Sequence, residues 1–240
     1  MPDAPDPLAW LLDLEGVASA YAASRDGIDV LLRDRGLRRT SPEQTSESLL
    51  RGACASAVLA GSTSDEESIR AGSGDQTAAA AVRVSTELLG LVPVLGPSPL
   101  QAFARLHALA AKGQVADDDL GRPVSADASA RMGTLARTIT TTSVPALLLA
   151  ALVHGELAAA APFASHNGIV ARAAERLVLV ARGVDPASLV VPEAAHLGLR
   201  AEYESNLRGY RSGSRSGLHS WLQYAAEAYA RAAEESPLAR

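Results

Sequence analysis

Apolar residues recur at helical spacing along almost the whole chain, and the alternating pattern of a half-buried strand is nearly absent. Hydrophobic residues make up 48% of the sequence, with alanine the commonest, while aromatic residues make up only 4%. Alanine is the best helix former because it loses no side-chain entropy when a helix forms. The sequence therefore predicts an all-α fold.

Proline, glycine and serine mark where the predicted helices begin and end. The clearest start is Ser41 as N-cap, with Pro42 at the first helical position and Glu43 in the first turn. No repeat of fixed period and no long linker divides the chain, so a single domain is expected. Loops are predicted over 62–75, 113–125 and 208–217, and helices over 7–36, 42–61, 76–90, 98–111, 126–138, 145–160, 167–182, 193–208 and 218–234.

Charge and cysteine content narrow the function classes. The formal net charge of −5 and a pI near 5.6 argue against a general nucleic-acid binder, which would carry a basic surplus. The single cysteine, Cys54, excludes an internal disulfide and favours a reducing compartment. With one cysteine and five scattered histidines, the sequence also argues against a structural zinc site.

The first residues and the most apolar segment bear on location. The start, MPDAPDPLAW, has neither the basic nor the apolar region of a signal peptide. The apolar run 144–165 contains His154 and Glu156, which favours a buried core helix over a membrane span. A cytoplasmic protein without membrane contact is therefore expected. Arginine supplies 21 of the 22 basic residues, a bias typical of GC-rich genomes, so a bacterial source is expected.

The segment Ala158–Leu177, AAAAPFASHNGIVARAAERL, combines a turn with the start of a helix. A Pro-Phe pair leads into Ser-His-Asn-Gly, and the helix then opens on small residues and carries two arginines. Such a layout presents backbone N–H groups to a phosphate, because the first N–H groups of a helix lack partners inside it. The sequence therefore predicts the frame of a phosphate site here.

The segment Val144–Arg172 resembles the core of the Fic family. The family motif reads His-Pro-Phe-x-Asp/Glu-Gly-Asn-Gly/Lys-Arg, with a further Arg three residues on. In this chain the corresponding run is Ala161–Ile169, APFASHNGI, and Arg172 is the further Arg. The preceding helix is similar too, with a proline, an Ala-Leu pair, a histidine and an acidic residue at Pro145, Ala151, Leu152, His154 and Glu156.

Three other segments carry the resemblance in the same order as in the family. Cys54–Ser68 is similar to the inhibitory-helix end, Ser-x-x-x-Glu-Gly-Asn, with Ser56, Ala60 and Gly61 at its positions. Leu100–Gly113 resembles the Leu-His helix ahead of the target-binding flap. The terminal pattern of the family is matched by Tyr203, Leu207, Tyr210, Gly213 and Trp221. The resemblance implies a Fic-like helical core over 76–240, preceded by N-terminal helices over 1–75.

The resemblance also implies that the catalytic side chains are missing. In the family the motif His is the general base, and Ala161 at its position has no titratable atom. The Asp/Glu holds Mg²⁺, and a lone hydroxyl such as that of Ser165 is a poor ligand for a hard cation. Ile169 replaces the first phosphate-binding Arg. No catalytic residue, metal or tightly held cofactor is therefore expected.

A weak nucleotide or anion site is what the resemblance leaves. Its predicted residues are His166, Asn167, Gly168 and Arg172, although His166 adds bulk where the family has glycine. Helix N–H groups and the helix dipole favour an anion by roughly 0.3–2 kcal/mol, so weak binding of ATP or phosphate is expected. The inhibitory Glu, which pairs with the second Arg in the family, is Ala60 here, so catalyst and regulator are lost together.

The histidines leave one alternative open. His154 is interpreted as a core residue with satisfied hydrogen bonds, and His107, His196 and His219 are assigned no partner at a metal or triad spacing. His166 stays open as a substitute base.

Three functional hypotheses follow. The first is a catalytically inactive Fic-like protein that acts as a binding or regulatory module for a protein partner. The alternative is a divergent Fic-type AMP transferase with non-standard catalytic residues. The third is a structural helical protein without a ligand. No oligomeric state is assigned.

Overall fold

The computed structural model describes residues 6–33 and 40–239, and regular structure in these ranges is entirely helical. The predicted all-α fold is therefore confirmed. Short 3₁₀ segments cover Ala9–Asp13, Leu88–Leu91 and Asp117–Asp119. The α-helices are α1 (Val17–Leu31), α2 (Pro42–Leu59), α3 (Glu66–Arg70), α4 (Gln76–Glu87), α5 (Val92–Leu95), α6 (Pro99–Ala111), α7 (Ala126–Thr141), α8 (Ala146–Ala160), α9 (Asn167–Ala181), α10 (Pro192–Gly198), α11 (Arg200–Arg211) and α12 (Arg215–Glu234).

Capping residues fix several helix starts, and α2, α4 and α7 begin where the sequence placed them, whereas α12 begins three residues earlier than predicted. The Ser41 hydroxyl accepts from the Gln44 backbone N–H, and the Gln44 side chain accepts from the Ser41 N–H, which forms a capping box at the start of α2. Asp75, Ser125 and Ser214 cap α4, α7 and α12. In each case the side-chain oxygen accepts from a backbone N–H of the first turn. Local polar chemistry thus decides where these helices begin.

Two predicted helices are wrong in their continuity. The first is interrupted, because the 3₁₀ segment ends at Leu14 and Gly16, with φ +74°, starts α1 in a left-handed conformation. The helix predicted over 193–208 is divided at Leu199 into α10 and α11, and α11 buries Tyr203 and Leu207. The predicted loop 208–217 shrinks to a short turn between α11 and α12. Gly36 lies outside the described residues.

The centre of the fold is the pair α8 and α9. Eleven residues of α8 and twelve of α9 are buried, and the two helices pack directly against each other. The apolar run predicted as a core helix is α8, and its burial confirms that interpretation. Unlike α8, which is too short, the described stretch Gln76–Leu95 is long and apolar enough to span a membrane, and 39% of its most apolar 18-residue window is buried.

Helices from the beginning and end of the chain enclose this centre. α1 packs against α12, while α2 packs against α4 and α10. α12 also contacts α8 at Gly155, where an added Cβ would lie 2.8 Å from Trp221 Nε1 and 3.1 Å from Tyr210 Cε2. The Trp221 indole donates to the Ala151 carbonyl at 2.9 Å, so glycine is what admits the ring to the helix backbone. Helices before residue 75 therefore pack on helices after it.

Candidate functional site

The turn between α8 and α9 is held by hydrogen bonds of the Asn167 amide and by a backbone bond from the preceding loop. Asn167 Oδ1 accepts from the Phe163 N–H at 2.9 Å, and Asn167 Nδ2 donates to the Phe163 carbonyl at 2.8 Å. Val124 N–H donates to the Pro162 carbonyl at 2.9 Å, which ties the loop 113–125 to the turn. These bonds involve none of the side chains at the positions that the resemblance assigns to catalysis, so the turn does not depend on those side chains for its geometry.

The side chains at the positions that the resemblance assigns to catalysis have three different surroundings. Ala161 is exposed and ends α8 with φ +42°, and Ser165 is half-buried. Ile169 is only 2% exposed and belongs to the hydrophobic core. A cation at that position would therefore be placed among apolar side chains, which explains why an isoleucine fits the fold there.

His166 lies at the N-cap of α9 in a left-handed conformation, with φ +56°. Its side chain makes no capping hydrogen bond, and its Nδ1 lies 2.7 Å from the Ser165 hydroxyl instead. The first backbone bond of α9 runs from Val170 N–H to the His166 carbonyl at 3.0 Å, so the N–H groups of Asn167 and Gly168 precede it. Burial and, less strongly, Arg83 lower the pKa of His166.

His107 supports the turn from α6. Its ring stacks on Phe163 with centroids 4.3 Å apart, and its Nδ1 accepts from the Gly121 N–H at 2.9 Å. Since Nδ1 accepts, the neutral ring carries its proton on Nε2, which has no partner among the described residues. Burial lowers the pKa of His107 to about 4, with His166 adding to the shift.

Arg172 points into the protein and contacts the segment that resembles the inhibitory helix end. It is 2% exposed; its Nε donates to the Ser56 hydroxyl at 3.0 Å and its Nη2 to the Ser56 carbonyl at 2.9 Å. A Cβ added at Gly168 would lie 3.3 Å from its Nη1, so Gly168 packs over the guanidinium. Ala60 and Gly61 form the end of α2, with Gly61 at φ +91°. The structure thus brings Arg172 to Ser56.

One turn further along α9, Glu175 forms the centre of a buried cluster that sequence reasoning missed. Its Oε2 lies 2.8 Å from His154 Nδ1 and 3.0 Å from His196 Nε2, and all three side chains are fully buried. These ligand-type atoms lie within 4.8 Å of one another. The interpretation of His154 as a core residue with satisfied hydrogen bonds is confirmed. The prediction that His196 has no partner at a metal or triad spacing is wrong, because His196 contacts Glu175.

Three tyrosines surround this cluster, one for each member. The Tyr203 hydroxyl lies 3.0 Å from His154 Nε2, the Tyr224 hydroxyl lies 2.7 Å from His196 Nδ1, and the Tyr229 hydroxyl donates to Glu175 Oε1 at 2.8 Å. Arg172 Nη1 donates to the Tyr203 oxygen at 3.2 Å. The buried cluster is defined here as His154, Glu175 and His196 with these three tyrosines.

The contacts of the buried cluster fix where its protons lie in the metal-free protein. An ionised carboxylate only accepts, so His154 carries its proton on Nδ1 and His196 carries its proton on Nε2. Tyr203, which accepts from Arg172, then donates to His154 Nε2. Burial lowers the pKa of His154 to about 4, so this imidazole is neutral at pH 7. Burial raises the pKa of Glu175, but the two imidazoles outweigh it and hold that pKa well below its usual range.

One sequence signal pointed to the buried cluster. Apolar residues surround Glu175 in the sequence of α9, and all twelve residues from Ile169 to Val180 are buried, so this carboxylate needs a polar partner. Arg176 in the same helix obeys the same rule, since its guanidinium contacts Ser48, Ser188 and Glu193 inside the protein. The partner of Glu175 was not readable, because each histidine lies 21 residues away in sequence and reaches it only through helix packing.

Comparison with known proteins places the fold. No protein-family model and no curated protein sequence matches the chain. Among solved structures, a Fic family protein from Desulfovibrio desulfuricans G20 is similar, with a TM-score of 0.74 and 18% identity over 90% of this chain and 73% of that one. A fragment of Fic-1 from C. elegans, residues 134–508, has a TM-score of 0.66 and 17% identity over 95% and 73%. The chain therefore has a Fic-like fold.

Proposed function

We propose that this chain is a catalytically inactive Fic-like protein that acts as a binding or regulatory module. A protein partner and a cytoplasmic location are part of the proposal. The Fic-like fold supports it, as do the residues at the catalytic positions of the resembled motif. Ala161 has no group to take a proton, and Ser165 offers a neutral hydroxyl where a carboxylate would hold a metal.

The single observation that carries the proposal is the position of Arg172. Its Nε and both of its terminal nitrogens donate to Ser56 and Tyr203, and the side chain is 2% exposed. A guanidinium that stabilises a transferring phosphoryl group must direct its N–H donors at that group. Arg172 is instead part of the interior, which supports a structural role for the last cation of the resembled motif.

Residual anion binding is the second element of the proposal. The N–H groups of Asn167 and Gly168 at the start of α9 lie before the first helical hydrogen bond, and no side chain caps them. An uncapped helix start favours a phosphate or the phosphates of ATP. We expect millimolar affinity, roughly −4 kcal/mol, because Ser165 and Ile169 supply no charge.

A transfer assay tests the proposal. Purified protein is incubated with radiolabelled ATP, Mg²⁺ or Mn²⁺, and a cell lysate, and no labelling above background is expected. Loss of a general base alone costs ~10²–10⁴-fold in rate, and this chain also lacks the metal-binding carboxylate. Robust labelling that persists in His219→Ala and disappears in His166→Ala would contradict the proposal.

Labelling that depends on His166 would support the second candidate function, a divergent AMP transferase. The observation that favours it is the contact between His166 Nδ1 and the Ser165 hydroxyl at 2.7 Å, in a half-buried position beside the helix start. The pKa of His166 lies below the ordinary 6.5, because burial disfavours the charged ring. A neutral imidazole is therefore available at pH 7. A neutral imidazole is the form that accepts a proton.

A further inference from the structure

Glu175 is a fully buried carboxylate whose direct contacts among the described residues include no permanent cation. They are two imidazoles, at 2.8 and 3.0 Å, and the Tyr229 hydroxyl at 2.8 Å. The guanidinium of Arg172 reaches this group only through Tyr203 and then His154. A buried carboxylate is ordinarily paired with a cation or coordinates a metal, because an unpaired charge in the interior is costly.

The donors around Glu175 form a ligand set. Two imidazole nitrogens and one carboxylate oxygen converge from α8, α9 and α10, within 4.8 Å of one another. We propose that His154, Glu175 and His196 form a binding site for a borderline divalent metal ion, with Zn²⁺ the best match. Imidazole with carboxylate suits Zn²⁺ and its neighbours in the first transition row, whereas Mg²⁺ and Ca²⁺ prefer oxygen ligands throughout.

The tyrosines of the buried cluster supply the outer contacts that such a site needs. When a metal takes the inner nitrogens, each imidazole proton moves to the outer nitrogen, His154 Nε2 or His196 Nδ1. The hydroxyls of Tyr203 and Tyr224 lie 3.0 and 2.7 Å from those nitrogens. Each O–H donates to its nitrogen before the metal binds, and it turns about the C–O bond so that the oxygen accepts from the new N–H. Both imidazoles stay neutral, so no proton leaves the protein. Second contacts of this kind orient metal-binding histidines.

Tyr224 also marks a route for the ion. It lines an open cleft of about 630 Å³ between α1 and the pair α11 and α12, and its hydroxyl contacts His196. Glu202 and Glu227 line the same cleft. Carboxylates at its walls raise the local concentration of cations, and Tyr224 lies both at the cleft and against His196.

Metal content and thermal melting test the proposal on the full chain. The protein is unfolded in urea with EDTA, refolded with or without ZnCl₂, dialysed and assayed for metal by elemental mass spectrometry. One Zn²⁺ per chain is expected, with a Tm about 5–10 °C above the EDTA sample at a hundredfold excess over Kd. Co²⁺ in place of Zn²⁺ is expected to give visible d–d absorption, which a hydrogen-bonded cluster that binds no metal would not give.

Two variants assign the bound ion. Glu175→Gln keeps the side-chain shape and removes the charge, and it is expected to lose the metal and the Tm difference; His154→Asn is the second variant if this one does not fold. Glu87→Gln, at an exposed position on α4, is expected to keep both. Refolded protein without metal and with equal Tm in Zn²⁺ and EDTA would overturn the proposal, as would metal retained by folded Glu175→Gln. These readouts do not depend on AMP transfer, so this proposal and the proposed function fail separately.

Discussion

The turn Ala161–Asn167 and the buried cluster around Glu175, which begins eight residues later in α9, differ in how much they depend on individual side chains. At the turn, the Asn167 amide and backbone bonds hold the geometry, and the positions of the resembled catalytic residues carry side chains without that chemistry. In the buried cluster every polar atom has a partner. Exposed positions can change because water replaces a lost partner, whereas a buried atom that loses its partner cannot be solvated.

The largest expected contrast comes from removing one side chain in each region. Glu175→Ala leaves His154, His196 and Tyr229 without their acceptor in the interior, and we expect a loss of about 3–5 kcal/mol in the free energy of unfolding. Ser165→Ala at the turn is expected to cost under about 0.5 kcal/mol. Urea unfolding followed by circular dichroism measures both, and similar costs for the two variants would remove the distinction.

Acid is expected to weaken the buried cluster next. The pKa of His154 is about 4 in the folded protein and 6.5 in the unfolded chain, so the unfolded state binds more protons between these values. The contribution of neutral His154 to the free energy of unfolding is therefore fully present above pH 6.5. It falls by about 3 kcal/mol as the pH drops toward 4. His107, with a folded pKa of about 4, adds to the same slope.

The measurement is urea unfolding at steps from pH 7 to pH 4.5, compared between the unchanged protein and His166→Gln. Most of the slope is expected to survive in His166→Gln, because the groups with the large pKa shifts are untouched. A pH-independent stability in the unchanged protein would contradict the buried, neutral state of His154.

The turn and the buried cluster also differ in how far sequence could predict them. Helix starts such as Ser41-Pro42 and the turn Pro162–Gly168 depend on neighbouring residues, and these local signals were readable. The break at Leu14–Gly16 and the division at Leu199 could not be predicted, because they depend on packing against helices that are distant in sequence. The same reason hid the contact of His196 with Glu175 and that of Arg172 with Ser56, which are 116 residues apart.

A moderate effect on stability is expected from removing the Asn167 amide, which bonds to both backbone groups of Phe163 in the turn. Asn167→Ala removes both bonds to Phe163, and we expect a loss of about 1–2 kcal/mol in the free energy of unfolding. Asn206→Ala is a matched control, since that amide donates to the Glu202 carbonyl at the surface. Equal costs would mean that the turn is held by other contacts.

The smallest effect should be a gain. His166 has φ +56°, a conformation that costs a non-glycine residue roughly 1 kcal/mol, and glycine adopts it freely. His166→Gly is therefore expected to leave stability unchanged or raise it by up to about 1 kcal/mol, despite losing the Ser165 contact. Thermal melting checks this, and a clear drop in Tm would show that the His166 side chain holds the turn.

The central claim is that the turn is an intact frame without its chemistry, and restoring the side chains tests it most directly. The triple variant Ala161→His, Ser165→Asp and His166→Gly changes only exposed or half-buried positions and leaves the buried Ile169 in the core. Titration calorimetry with MgATP is expected to show affinity at least about tenfold above that of the unchanged protein, roughly 1.4 kcal/mol, through the new metal ligand. A folded triple variant with unchanged affinity would contradict the claim, because the turn would then lack the geometry to hold a phosphate.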